Sequence, residues 1–169
     1  NDVRKFGFIK LYNLNDLKKN SHFFHLGPEP LEKNYNFNYL KRFIKNKKRT
    51  IKDILMDQKC VSGLGNIYVN EILFQCKIHP LKKVKNLKNK QIIKIIKFTK
   101  KILLDSIKSG GSSIKDFSSS DGKKGIFQQK FNVYGRNGLK CSNSDCKYII
   151  KSIKISTRTT FYCANCQKY

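Results

Sequence analysis

A chain of 169 residues has room for one or two small domains with modest cores. Its 36 Lys and Arg against 11 Asp and Glu leave a formal charge of +25, which favours a polyanionic partner bound through phosphate neutralisation and counterion release. No apolar run approaches the ~20 residues that span a bilayer and no signal-peptide pattern is present, so no membrane role is expected. Much of the lysine excess accompanies abundant Asn and Ile and reads as an AT-rich compositional bias. Arginine, by contrast, is scarce and sits at particular places.

The chain opens at Asn1-Asp2-Val3-Arg4-Lys5-Phe6-Gly7, without an initiator Met and inside an apparent strand, so a fragment is expected. Residues 1–12 alternate loosely through Phe6, Phe8, Ile9, Leu11 and Tyr12 and read as the last strands of a β domain. Leu26-Gly27-Pro28-Glu29-Pro30-Leu31 reads as a rigid linker, because each Pro fixes its own φ and restricts its predecessor. Helical spacing of Phe37, Leu40, Phe43 and Ile44 predicts a helix over 36–44, followed by a basic run over 45–49. A short helix over 51–58, a two-glycine turn over 59–65 and an amphipathic helix over 66–78 come next, ended by His79-Pro80. The longest periodic segment covers 89–109 and stops at Gly110-Gly111. Residues 118–126 form a polar loop, and after Phe127 the pattern turns to β and cysteine.

Cys60 and Cys76 are isolated, whereas the other four cysteines form Cys141-x4-Cys146-x16-Cys163-x2-Cys166. Two close-spaced pairs separated by a hairpin's length point to a tetrahedral four-thiolate zinc site. A closed sulfur shell leaves no open position, which makes the metal structural. The pattern fits a reducing cytoplasm better than a disulfide framework. Tyr148–Ile150 and Ile153–Ile155 read as the two strands of the ribbon, a unit so small that metal would supply much of its folding free energy. Upstream, Gly63-Leu64-Gly65-Asn66 precedes a helix. Two glycines there permit positive φ and close backbone approach, and the helix N-terminus offers free N–H groups to a phosphate. Asn66, at or near the N-cap, could either cap the helix or donate to that phosphate.

Several segments together carry a resemblance. Met56-Asp57-Gln58-Lys59, Gly63 through Phe74 and Ile78-His79-Pro80 resemble the helix–two-turn–helix of the bacterial formamidopyrimidine-DNA glycosylase family. Arg158-Thr159-Thr160-Phe161-Tyr162-Cys163 resembles its C-terminal zinc finger, and Asp2-Val3-Arg4-Lys5-Phe6-Gly7 resembles a family segment with Val3 replacing proline. Gly110 to Phe117, and Ser120 to Phe127, are similar to the stretch leading into its lesion-capping loop. The resemblance implies a mainly α fold with small β parts. Its expected divisions are a remnant of N-terminal β-sandwich strands (1–25), a helix–two-turn–helix domain (26–117), a lesion-capping loop (118–130) and a zinc ribbon (131–169).

The implied activity is base-excision repair: oxidised purines leave duplex DNA and the abasic strand is cleaved by β,δ-elimination. The implied partner is double-stranded DNA containing 8-oxoguanine or formamidopyrimidines, met by a monomer in the bacterial cytoplasm. Arg4 and Phe6 would fill the gap left by the flipped base. Lys47, Gly63, Gly65 and Asn66 would contact DNA. Arg158 would grip a phosphate and is matched to the acid of the δ-elimination, while Cys141, Cys146, Cys163 and Cys166 would hold one zinc ion. The family's N-terminal proline nucleophile, its neighbouring glutamate and its β-elimination lysine have no counterpart in these residues. The chain alone is therefore expected to bind DNA without excising a base. Two alternatives are an endonuclease VIII-like pyrimidine glycosylase, which shares motif and ribbon, and a non-catalytic DNA-binding remnant. The 118–126 loop and Gly110-Gly111 favour the purine enzyme.

Overall fold

Helix α1 (Phe37–Ile44) starts where the Asn36 side chain accepts a hydrogen bond from the Tyr39 N–H at 3.0 Å, and it buries Leu40 and Ile44. A computed structural model supplies this geometry and describes residues 7, 9–13, 15–16, 20, 23–112 and 127–169. Arg4, Phe6 and the 118–126 loop lie outside the described residues. Helix α2 (Ile51–Leu55) is capped by Thr50, whose hydroxyl accepts from the Asp53 N–H at 3.1 Å. It stops short of the expected 51–58 because the chain turns at Asp57, which accepts from the Lys59 N–H and pairs with Arg49 at 2.5 Å. Helix α3 (Asn66–Gln75) and helix α4 (Asn89–Lys108) follow, close to their expected spans. Gly110 and Gly111 end α4 at φ values of 70° and 82°, which glycine adopts without strain.

The core lies between these helices, around Tyr35, Leu40, Ile54, Leu55, Ile72 and Ile95. Residues 26–31 are no free linker. The Gly27 N–H donates to the Gln58 carbonyl at 2.8 Å, and a Cβ on Gly27 would stand 2.6 Å from the Cys60 oxygen. Close backbone packing therefore demands glycine there, and the segment braces the turn that leads into α3. None of the described residues before Phe23 is in a strand, and Ile9 and Leu11 are 98% and 99% exposed. The rest of the expected N-terminal β remnant, residues 1–6 included, lies outside the described residues. No described helix is long and apolar enough to cross a membrane.

The ribbon corrects one expectation. Strand β1 (Lys151–Ile155) pairs antiparallel with strand β2 (Arg158–Tyr162), with Ile155 opposite Arg158 and Ser156 in the turn at φ 52°. Tyr148–Ile150 instead folds onto residues 138–141, through Gly138 N–H to the Ile150 carbonyl and Cys141 N–H to the Tyr148 carbonyl. The β-branched and aromatic run of Thr159, Thr160, Phe161 and Tyr162 makes the better strand.

Three seams attach the ribbon to the helices. At one, the buried Glu71 carboxylate accepts from the N–H groups of Asn132, Val133 and Tyr134, each at 2.9 Å, and from the Asn132 side chain at 3.0 Å. At the second, Gln167 donates to the Ile78 carbonyl while His79 lies between Tyr162 and Tyr169, with ring centroids 4.7 and 4.1 Å away. The third joins α3 to β2. The first seam makes a prediction. Glu71→Gln turns a pure acceptor into a group carrying two donors toward those N–H groups, so it should cost roughly 3 kcal/mol. Denaturant titration showing an unchanged midpoint would contradict this account of the seam.

Candidate nucleic-acid interface and metal centre

The Sγ atoms of Cys141, Cys146, Cys163 and Cys166 all lie within 4.8 Å of one another. Cys141 and Cys166 are 3.8 Å apart and Cys146 and Cys163 are 3.7 Å apart, too far for the ~2.05 Å of a disulfide. A tetrahedron with metal–sulfur bonds of ~2.3 Å has edges of about 3.8 Å, so the donor set fits one metal ion. Asn165 donates to the Cys146 sulfur at 3.4 Å and draws that thiol down to about 6, whereas burial pushes Cys141 up to about 12 and Cys166 upward. Cys60 and Cys76 are buried elsewhere, and burial pushes each thiol up to about 12. They are therefore protonated and poor nucleophiles.

The turn before α3 is built around Gln58. Its side chain accepts from the Gly63 N–H at 2.8 Å and donates to the Leu64 carbonyl at 3.0 Å. Gly63 takes φ 78°, a conformation that favours glycine. Gly65 is extended at φ −109° and needs no glycine for its backbone. A Cβ on either glycine would meet no protein atom within 4 Å, so both border open space beside the N-terminus of α3. Gly65, rather than Asn66, is the N-cap, and no side chain caps this helix. That leaves the first-turn N–H groups for an incoming anion.

Asn66, in the first helical position, reaches sideways. Its amide donates to the Thr159 carbonyl of β2 at 2.9 Å. Asn70, one turn further on, accepts from the Phe161 N–H at 2.6 Å. Between them, the buried Lys52 of α2 donates to the Thr160 hydroxyl. Consecutive residues of β2 are thus held by side chains from two helices, which sets the exposed Arg158 beside the turn. Arg158 lines a cavity of about 410 Å³ with Arg49, Lys52, Asp57, Gln58 and Thr157. Burial draws the Lys52 amine down to about 8; the Asp53 carboxylate opposes this and the Arg158 charge adds to it.

Asn66, Gly63, Gly65 and Arg158 are therefore brought to one end of the molecule. Lys47 is not among the residues lining that cavity; its ammonium lies over the Phe43 ring at 4.5 Å, and it lines another cavity with Lys48 and Lys85. Lys52 and Asn70 were not legible as site residues. A Lys at the second position of a short helix and an Asn inside an amphipathic one look solvated until β2 is placed against them.

These elements define a helix–two-turn–helix domain joined to a four-cysteine ribbon. The family model described as Formamidopyrimidine-DNA glycosylase H2TH domain matches residues 26–118. The formamidopyrimidine-DNA glycosylase of Histophilus somni is 44% identical over 169 residues, covering 99% of this chain and 61% of the relative. That of Roseobacter denitrificans is 40% identical over 168 residues, covering 99% of this chain and 59% of the relative. The Lactococcus lactis Fpg, in complex with an abasic site containing DNA, superimposes with a TM-score of 0.90 at 36% identity, over 99% of this chain and 61% of that one. The MutM (Fpg) protein of Thermus thermophilus gives a TM-score of 0.80 at 32% identity, over 85% of this chain and 54% of that one. The chain belongs to the formamidopyrimidine-DNA glycosylase family, and it spans 59% and 61% of the length of the two relatives named.

Lys52 supplies a pH test. Its folded value of about 8 lies below the ordinary 10.5, so between these values the unfolded chain holds the extra proton and stability rises with pH. The rise should amount to about 2–3 kcal/mol from this group and be missing in Lys52→Gln. A stability–pH profile from 7 to 11 that the substitution leaves unchanged would contradict the depressed amine.

Proposed function

We propose that this chain supplies the DNA-gripping part of a base-excision repair enzyme. That enzyme removes oxidised purines, 8-oxoguanine and formamidopyrimidines, from duplex DNA and cleaves the abasic strand by β,δ-elimination. The observation that carries the reading is the convergence of the uncapped α3 N-terminus, the Asn66 amide and Arg158 at one end of the molecule, held together by the grip of Asn66, Lys52 and Asn70 on β2. The α3 N–H groups and the Asn66 amide receive one phosphate, with Gly63 and Gly65 leaving room for it. Arg158 offers a planar fork to a second phosphate. Because a guanidinium is a poor proton donor, Arg158 acts in the second elimination mainly by holding the departing phosphate.

Cys141, Cys146, Cys163 and Cys166 hold one zinc ion, which stiffens the ribbon and does no chemistry. Lys47 meets the DNA backbone outside the Arg158 cavity, and Arg4 and Phe6 occupy the gap left by the flipped base. The family's proline nucleophile, acidic partner and β-elimination lysine have no counterpart among these 169 residues. On its own the chain therefore binds DNA as a monomer without excising a base. The bacterial cytoplasm, where its substrate DNA lies and thiolates stay reduced, is its setting.

Two experiments test this. The purified chain should carry one zinc per molecule and bind a duplex containing a tetrahydrofuran abasic-site analogue. Log affinity against log salt should slope by roughly −0.9 per phosphate neutralised, and borohydride should trap no adduct. A salt-insensitive complex, or a trapped one, would sink the reading. In the complete enzyme, Arg158→Lys should retain zinc yet lose about 1.5–3 kcal/mol of abasic-site affinity and accumulate the β- over the δ-elimination product. Wild-type affinity and product ratio would remove Arg158 from the site.

A further inference from the structure

We infer that Asn70 is a positioning residue that sets the Asn66 amide and the start of strand β2 in one register, an inference that rests on Asn66 meeting a DNA phosphate. Strand β2 pairs with β1 along one edge only. On the other edge the Thr159 carbonyl and the Phe161 N–H point to α3, where Asn66 and Asn70 meet them at 2.9 and 2.6 Å. Residues four apart on a helix are separated by ~6.0 Å of rise, and residues two apart on a strand by ~6.7 Å. The two amides therefore match the strand's spacing and serve its edge as a third strand would.

Chemistry settles how both amides are turned. Phe161 N–H is a donor, so the Asn70 oxygen must face it, and the Asn70 nitrogen then donates to the Asn66 carbonyl at 2.6 Å and its side-chain oxygen at 3.2 Å. With its oxygen turned to Asn70, Asn66 presents its nitrogen to Thr159. One N–H of that nitrogen lies on the Thr159 carbonyl, and the second is uncommitted among the described residues. Asn70 itself is 1% exposed, between the buried apolar Val69 and Ile72, where a polar side chain is tolerated only when fully hydrogen-bonded. Slipping β2 by one residue would turn its free edge the other way and break both contacts, taking Arg158 with it. Asn70 touches no DNA and acts on affinity through Asn66, whose amide it turns toward Thr159.

A double-mutant cycle in the complete, metal-loaded enzyme tests this, with the tetrahydrofuran duplex as probe and zinc content and melting temperature as controls. Asn66→Ala should lower affinity about tenfold to a hundredfold, the size of one hydrogen bond to a charged group, and Asn70→Ala should do the same. In the Asn66→Ala background the Asn70 change should cost less than about twofold. Losses that multiply, or an Asn70→Ala enzyme with wild-type affinity, overturn the positioning role. Unchanged affinity in Asn66→Ala overturns instead the phosphate contact on which it rests. Should Asn70→Ala not fold, Asn70→Asp decides: it keeps the acceptor for Phe161 but loses the donor to Asn66. Affinity should then fall with zinc retained, and wild-type affinity in Asn70→Asp overturns the proposal.

Discussion

An edge strand exposes a row of unpaired N–H and carbonyl groups, and β2, the strand that begins with the exposed Arg158, carries this liability. Here the edge is closed by side chains. Asn66, Asn70 and Lys52 take three successive residues of β2, and in doing so they join a ribbon of little apolar content to the helical core. The relative placement of Arg158 and the α3 N-terminus follows from that join. Without it, the ribbon would still be tied through Glu71 and Gln167, but no contact would hold the β2 edge itself against α3.

The four-cysteine cluster is the other half of the same constraint. Its sulfurs tie the strand end at Cys163 to the loop carrying Cys141 and Cys146, and the Cys163 N–H is itself held by Gln167, which continues to the Ile78 carbonyl. The cysteine cluster, the end of β2 and the segment just beyond α3 therefore share one run of hydrogen bonds. A charge of +25 brings such a protein to a polyanion, but most of its lysines stand apart from these contacts and attract without orienting. In the proposed function, orientation falls to the few neutral amides and the Arg158 fork, of which the amides are fixed by packing against β2.

Much of this was legible beforehand, for identifiable reasons. Cysteine spacing announces a metal centre because thiolates have few other reasons to cluster, and the period of α4 is read directly from its buried Ile92, Ile95, Thr99 and Ile102. The Gly63-Leu64-Gly65-Asn66 turn stood out through its glycines. Three features were hidden. The Thr159–Tyr162 strand was masked by its role in a motif, the docking of Gly27 on the Cys60 carbonyl depends on contacts far along the chain, and Asn70 is polar at a helix position that only β2 makes sensible. In the last two, tertiary contact rather than local preference decides the outcome, whereas the strand follows the β preference of its own residues.

The central claim is that the metal-held ribbon and the helix–two-turn–helix form one DNA-gripping unit. Removing the metal with a chelator, then measuring the helical unfolding transition and the affinity for an abasic-site duplex on the same sample, tests it most directly. The account expects the α1–α4 transition to survive while affinity drops about tenfold or more, the scale of a lost charged hydrogen bond. A metal-free chain that unfolds as before and binds the duplex with undiminished affinity would contradict it.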